Sequence, residues 1–472
     1  MGAATTYDTP VKFRFGLLLW LLATPLTAHG HTEIFFPKVF STAELPNTGF
    51  VLLNPDPDIA TVNVYLISTV GTKVAETVVT IAPGGQLARL GSELFPNASA
   101  AGWVYLINDT EGMQAFFLNY DSGITSLDGA EAASYDTIGS DQVIPLIAEN
   151  TELNVVNTSV ARLQLTIRLF GTDGQIGASV NRDVAVAGAL QADVAALFPS
   201  ANLAQARYDR IQTGSVFSLI TSCAVVRGFT VPRDTALING TNVTSKTGVT
   251  FNHVVSGQLP NANYTTVIGV TNLSSQPQSV QLVFHADDGS VVEVSRDISA
   301  NGALRETAQS IFNLPSTFQT GWVNVQSRGP IAGFAGYADT VAGGFAVVPD
   351  GTPQTKLFFS HIANGPPQWQ TGLALLNATG TPAAIEIFAV NPNGSPIGSV
   401  SLTLEADTKM ARTIHELIPQ TRGLNGGFIY VQTLNDVPLI GIELFYTQDL
   451  KVLSNVSAAK LVPGVRYVPP PM

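Results

Sequence analysis

The sequence predicts an all-β protein: four tandem immunoglobulin-like antiparallel β-sandwich modules of about 100 residues each. Three observations carry that expectation. Four landmarks recur in the same order four times along the 472 residues. Within each copy apolar and polar residues alternate with a period of two, the mark of a strand with one buried face. Glycine turns join the alternating runs where a tight hairpin needs positive φ.

The first landmark is an apolar strand ending in asparagine: GFVLLN at Asn54, LNVVN at Asn157, VIGVTN at Asn272 and LALLN at Asn377. A turn glycine follows 17 residues later each time, at Gly71, Gly174, Gly289 and Gly394. Next come Leu94-Phe95-Pro96, Leu197-Phe198-Pro199, Ile311-Phe312 before Pro315, and Leu417-Ile418-Pro419. The last landmark is a glycine opening a strand: GWVYLIN at Gly102, GSVFSLI at Gly214, GWVNVQS at Gly321 and GFIYVQT at Gly427. Between landmarks the alternation is plain, as in Leu163, Leu165, Ile167 and Leu169 against Gln164, Thr166 and Arg168. The only recurring helical signal is a short stretch before each Pro landmark, such as QADVAALFP. Each module should therefore hold six or seven strands, with that turn crossing between two sheets.

Turn formers set the boundaries. The chain divides into a signal peptide (1–30), modules at 31–140, 141–250, 251–352 and 353–462, and a Pro-rich tail (463–472). The linkers are short, which predicts touching modules in a semi-rigid rod. Lys12 and Arg14 precede an apolar run from Phe15 to Ala28, too short to span a bilayer but of secretory length. Ala28-His29-Gly30 offers a cleavage site, so the expectation is a secreted or cell-envelope protein, exported by the general secretory route and not membrane-spanning afterwards.

Charge narrows the function. Lys and Arg number 23 against 35 Asp and Glu, a net charge of −12, which argues against nucleic acid as a partner. Hydrophobic residues at 45% suffice for packed cores. A single cysteine, Cys223, excludes an intramolecular disulfide and a Cys-based zinc site, and on an apolar strand it reads as a small buried hydrophobe. The six histidines form no HExxH pair, and no G-x-S-x-G elbow, P-loop or dinucleotide fingerprint occurs. The expectation is no catalytic residue, no metal and no cofactor. Ten Asn-x-Ser/Thr triplets include Asn157, Asn272 and Asn377, where a strand-to-turn corner explains asparagine more simply than a glycan.

The aromatic strand offers the one repeated site hypothesis. Trp103, Tyr105, Trp322, Phe428 and Tyr430 follow the strand-opening glycines, and Trp322 and Phe428 share a face with polar neighbours. They either cover an adjoining module or form an exposed platform for sugar stacking. The second copy lacks this aromatic after Gly214.

The recurring pattern resembles the tandem β-sandwich repeats of exported bacterial proteins over roughly residues 34–462. That resemblance implies fold and export and carries over no catalytic residue. Separately, a mature chain beginning at His29 or His31 would resemble the copper-binding N-terminus of lytic polysaccharide monooxygenases, which implies a copper oxidase as the weakest alternative. The reading favoured by the residues is a non-catalytic structural or interaction protein with an adhesion or spacer role at the cell surface. Its partners would be extracellular polysaccharide or other surface proteins, and a carbohydrate-binding array is the runner-up.

Overall fold

The computed structural model describes residues 32–460 apart from 124, 232–233 and 366–368, together with Tyr467 and Pro469. The leader 1–30 and most of the tail lie outside the described residues.

The first module sets the pattern. Its strands are β1 (Thr32–Phe40), β2 (Thr48–Leu53), β3 (Ala60–Ser68), β4 (Lys73–Ile81), β5 (Gln86–Leu90), β6 (Gly102–Asn108), β7 (Gln114–Tyr120) and β8 (Leu127–Glu131). They form two antiparallel sheets, ordered β1-β6-β3-β4 and β5-β2-β7-β8. The helical turn α1 (Gly91–Leu94) carries the chain from β5 in one sheet to β6 in the other. Ile34, Phe36, Val62, Val64, Val104 and Phe117 fill the space between the sheets, each with at most 2% of its surface exposed.

The other three modules repeat these eight strands in the same pairing order, with short helices at Val194–Leu197, Ala308–Phe312 and Ile414–Leu417. Eight strands replace the expected six or seven because the Leu127–Glu131 hairpin strand and its counterparts are too short and too buried to show alternation. The first strand of module three, Gly248–Leu259, passes a bulge and pairs on both sides of the sandwich, joining its two sheets.

The corner asparagines explain why the repeat is so regular. Asn54, Asn157, Asn272 and Asn377 are almost wholly buried. Each amide donates to the carbonyl four residues on, at 2.8–2.9 Å (Asp58, Ala161, Gln276 and Thr381). Each also donates to the strand end opposite, at Ala82, Ala185, Ser299 and Glu405. The side-chain oxygen accepts from the backbone N–H two residues on. One side chain thus satisfies several backbone groups that a sharp corner would otherwise leave unpaired. No glycan fits on a buried, fully engaged amide.

The modules do not form a rod. They close into a ring. The β3–β4 hairpin of module one abuts the turn before the fifth strand of module two. A Cβ on Gly71, at φ +87°, would lie 1.9 Å from the Val186 carbonyl oxygen, so glycine is required for conformation and for clearance alike. Gly174 meets Ala300 of module three in the same way, and Gly394 of module four meets Pro83 of module one. The last strands, Leu127–Glu131, Thr235–Asn239, Phe345–Pro349 and Leu453–Ser457, lie against one another in cyclic succession around the centre. On the seventh strands, Cys223 packs into the core of module one, Phe334 into that of module two and Ile442 into that of module three. Phe116 completes the circle, stacking on Phe445 of module four at 6.2 Å.

Candidate functional site

The chemistry of the molecule is concentrated in the four seams between modules. In the first seam the Trp103 indole N–H donates to the Ala187 carbonyl at 2.9 Å. In the third, Trp322 donates to Asp407 O at 3.3 Å while His285 stacks flat on its ring, 3.9 Å between centroids. The second seam uses Tyr208, whose hydroxyl donates to Asn301 O at 2.8 Å. Register identifies Tyr208 as the counterpart of Trp103: it pairs with Phe170, four residues before Gly174, as Trp103 pairs with Ile67, four before Gly71. Gly214 opens no strand. It lies in a bend after Ala206–Thr213, and the matching residue stands in ARYDRIQT, which carries no glycine landmark.

All five aromatics singled out from the sequence are therefore seam residues. Trp103, Tyr105, Trp322, Phe428 and Tyr430 have between 0 and 4% of their surface exposed. Tyr105 stacks within a group of Phe35, Tyr65 and Trp103. Phe428 and Tyr430 pack with Phe358 and with Tyr467 from the tail. Sugar stacking needs an open ring face, and these rings spend theirs on neighbouring modules; polar neighbours along the strand misled because the seam itself is lined with backbone carbonyls.

Charged side chains also close the seams. The Lys409 side chain is 2% exposed and pairs with Asp287 across the third seam at 2.8 Å. Arg305 of module three donates to the carbonyls of Ile147, Ala206 and Arg207 in module two, and burial pushes its pKa down to about 9. Asp287 thus serves as an ion-pair partner across the seam. Burial holds the imidazoles of His253 and His361 neutral, at about 3 and about 4. Burial also pushes the Cys223 thiol up, out of the reactive range. Among the described residues no group of three or more His, Cys, Asp or Glu side chains is placed to hold a metal ion. His29 and His31, on which the copper reading depends, lie outside the described residues. No helix among the described residues is long and apolar enough to cross a membrane.

Cavities lie in the first and fourth seams. The first seam encloses about 360 Å³ between modules one and two, lined by Lys38, Asn119, Asp121, Asp128, Arg227 and Thr235. Burial raises the Asp128 carboxyl to about 7, against a hydrogen bond from Thr235 that lowers it. The fourth seam encloses about 350 Å³ between modules four and one, with Tyr120, Leu127, Trp369 and Phe445 among its walls. The two occupy equivalent positions. By register Asn119 corresponds to Phe445, Arg227 to Tyr120 and Thr235 to Leu127. One cleft has diverged toward charge, the other toward aromatic carbon. Neither Trp369 nor Tyr120 belongs to a repeated landmark, so repeat-based reading passed over both.

No family model and no curated protein sequence matches the chain. Among solved structures, one from Thermotoga maritima aligns with 22% of this chain and 91% of its own, at 12% identity and a TM-score of 0.20. The tetra-tandem repeat from the extending region of a large adhesion protein covers 86% of this chain and 93% of its own, at 14% identity and a TM-score of 0.10. A bacterial ice-binding adhesin structure covers 66% and 95% respectively, at 10% identity and 0.11. Scores this low carry no conclusion about arrangement or role.

Proposed function

We propose that the chain is an exported, non-catalytic structural and interaction protein that presents a rigid ring of four sandwiches at the cell surface or outside the cell. The observation that carries this reading is the cyclic closure: polar and aromatic side chains that could serve chemistry are consumed in holding modules together.

Fractionation of cells expressing the full chain, with N-terminal sequencing, tests the export half. The expected product begins near residues 29–31 and is found in medium or envelope; cytoplasmic protein retaining residues 1–30 overturns it. Incubating the purified ring with polysaccharides and following product release tests the other half, and turnover would overturn the non-catalytic reading.

A further inference from the structure

We propose that the cleft in the fourth seam, between modules four and one, binds the end of a carbohydrate chain. Its volume of about 350 Å³ is within the range that holds small ligands. The floor is apolar and neutral. Phe445 and His361 line it, the His361 ring, which burial keeps uncharged, 6.0 Å from Phe445, and Phe116 stacks on Phe445 from behind at 6.2 Å. Above the floor stand Tyr120 and Trp369, both half-buried, so each keeps part of its ring toward the cleft. The rim is polar and exposed: Arg89, Glu93 and Asn425.

This combination selects one ligand chemistry. A purely apolar ligand would strip water from Arg89, Glu93 and Asn425 without replacing its hydrogen bonds, at a cost. A charged ligand would meet one like charge on the rim, since Arg89 and Glu93 are of opposite sign. A sugar ring satisfies both demands. Its C–H face covers aromatic carbon, while its hydroxyls both donate and accept, to a carboxylate, a guanidinium and an amide together. The contrast with the first seam strengthens the assignment. Three equivalent wall positions that are Asn119, Arg227 and Thr235 there become Phe445, Tyr120 and Leu127 here, although the pseudo-symmetric backbone demands no such change.

The proposal extends the non-catalytic reading above, and the two fail separately. Full-length ring is applied to a printed array of cello-, xylo-, chito-, manno- and malto-oligosaccharides, and any binder is titrated by tryptophan fluorescence. The expected result is binding to at least one series, weakened tenfold or more by Trp369→Ala and by Tyr120→Ala and retained by Trp369→Phe, with all three variants still folded at the assay temperature by circular dichroism. Absence of binding across the array, or binding that survives both alanine substitutions, overturns the site while leaving the ring's structural role intact. Release of shorter sugars from a bound chain would instead overturn the non-catalytic reading and leave the site standing.

Discussion

The Trp103 indole donates to the Ala187 carbonyl at 2.9 Å, and Ala187 sits in the left-handed region at φ +52°. The same relationship recurs around the ring. Tyr208 donates to Asn301, at φ +53°, and Trp322 to Asp407, at φ +54°. A left-handed residue turns its carbonyl away from its own sheet, and the preceding module supplies the donor. Non-glycine residues are strained there, so the cross-seam bond helps to hold a conformation the local chain disfavours.

Replacing Trp103 with Phe should therefore destabilise the protein by about 1 kcal/mol, because a part-buried carbonyl loses its donor while most apolar contact remains. Trp322→Phe should cost less, its bond being longer at 3.3 Å. Cys223 offers a local readout, since its Sγ lies 3.5 Å from Pro37 O, across the same seam as Trp103. Maleimide labelling of Cys223 in native protein should accelerate in Trp103→Phe and hardly change in Trp322→Phe. Equal acceleration in both would show that the seams do not open independently.

The corner asparagines set a second expectation. In Asn377→Asp a carboxylate faces the carbonyls of Thr381, Leu404 and Glu405, which now receive three donated contacts. Loss of the donor plus charge–dipole repulsion in a buried site should cost about 2–4 kcal/mol in urea unfolding, or leave the protein insoluble. Secreted from a glycosylating eukaryotic host, the folded wild type should carry no glycan at Asn157, Asn272 or Asn377 by mass spectrometry. Occupancy at these positions would contradict the buried corner.

The modules were legible in the sequence because their landmarks answer local backbone requirements. Asn377 pairs within its own corner and Gly394 adopts φ +84° within its own hairpin. Closure of the ring was not legible in the same way, since it joins residues such as Phe116 and Phe445 that lie at opposite ends of the chain. A signal for it existed. The seventh strands ITSCAVVR and IAGFAGYAD are buried on both faces and read as continuous runs of apolar and small residues. That pattern marks a strand covered on two sides, which an isolated sandwich does not provide. The aromatic strands gave a misleading signal for a related reason: the second covered face is polar in backbone and apolar in ring carbon, so alternation looked like exposure.

Asp209 makes stability depend on pH. Its carboxyl is fully buried in module two and has no hydrogen-bond partner among the described residues, and burial pushes its pKa from 3.8 up to about 8. The folded protein therefore holds this proton where the unfolded chain has lost it. Its contribution is whole below about pH 4 and is lost as pH rises toward 8, a change on the order of a few kcal/mol. His253 and His361 act in the opposite sense, being held neutral when folded, so their contribution is lost as pH falls below 6.5. Asp209→Asn leaves both histidines in place. The difference in unfolding free energy, wild type minus variant, should be greatest at pH 4 and decline steadily to pH 8; a flat difference would place the Asp209 carboxyl in contact with water.

The fourth seam is built unlike the other three, and its closure should depend on the tail. Phe428 stands at the position of Trp103, opposite Val390, and has no donor to offer the left-handed turn at Gly84. Tyr467 takes up the space instead. It is 5% exposed, its ring lies 4.7 Å from Tyr430 and 5.1 Å from Phe358, and a Cβ on Gly84 would come within 3.4 Å of it. Removing that ring by Tyr467→Ala deletes a buried aromatic, worth about 3–5 kcal/mol in a rigid core and less where the seam can relax. The loss should be local. Hydrogen exchange should quicken at Gln86–Leu90 and Phe428–Thr433, on the two sides of this seam, and stay unchanged at Ala189–Asp193, Ala303–Thr307 and Thr408–Thr413, which flank the three seams held by Trp103, Tyr208 and Trp322. Tyr467→Phe should restore the wild-type pattern, because among the described residues the hydroxyl has no hydrogen-bond partner and the ring fills the seam. Uniform exchange around the ring in Tyr467→Ala would mean that the four seams melt as one unit, and that the tail contributes to global stability without latching any particular junction.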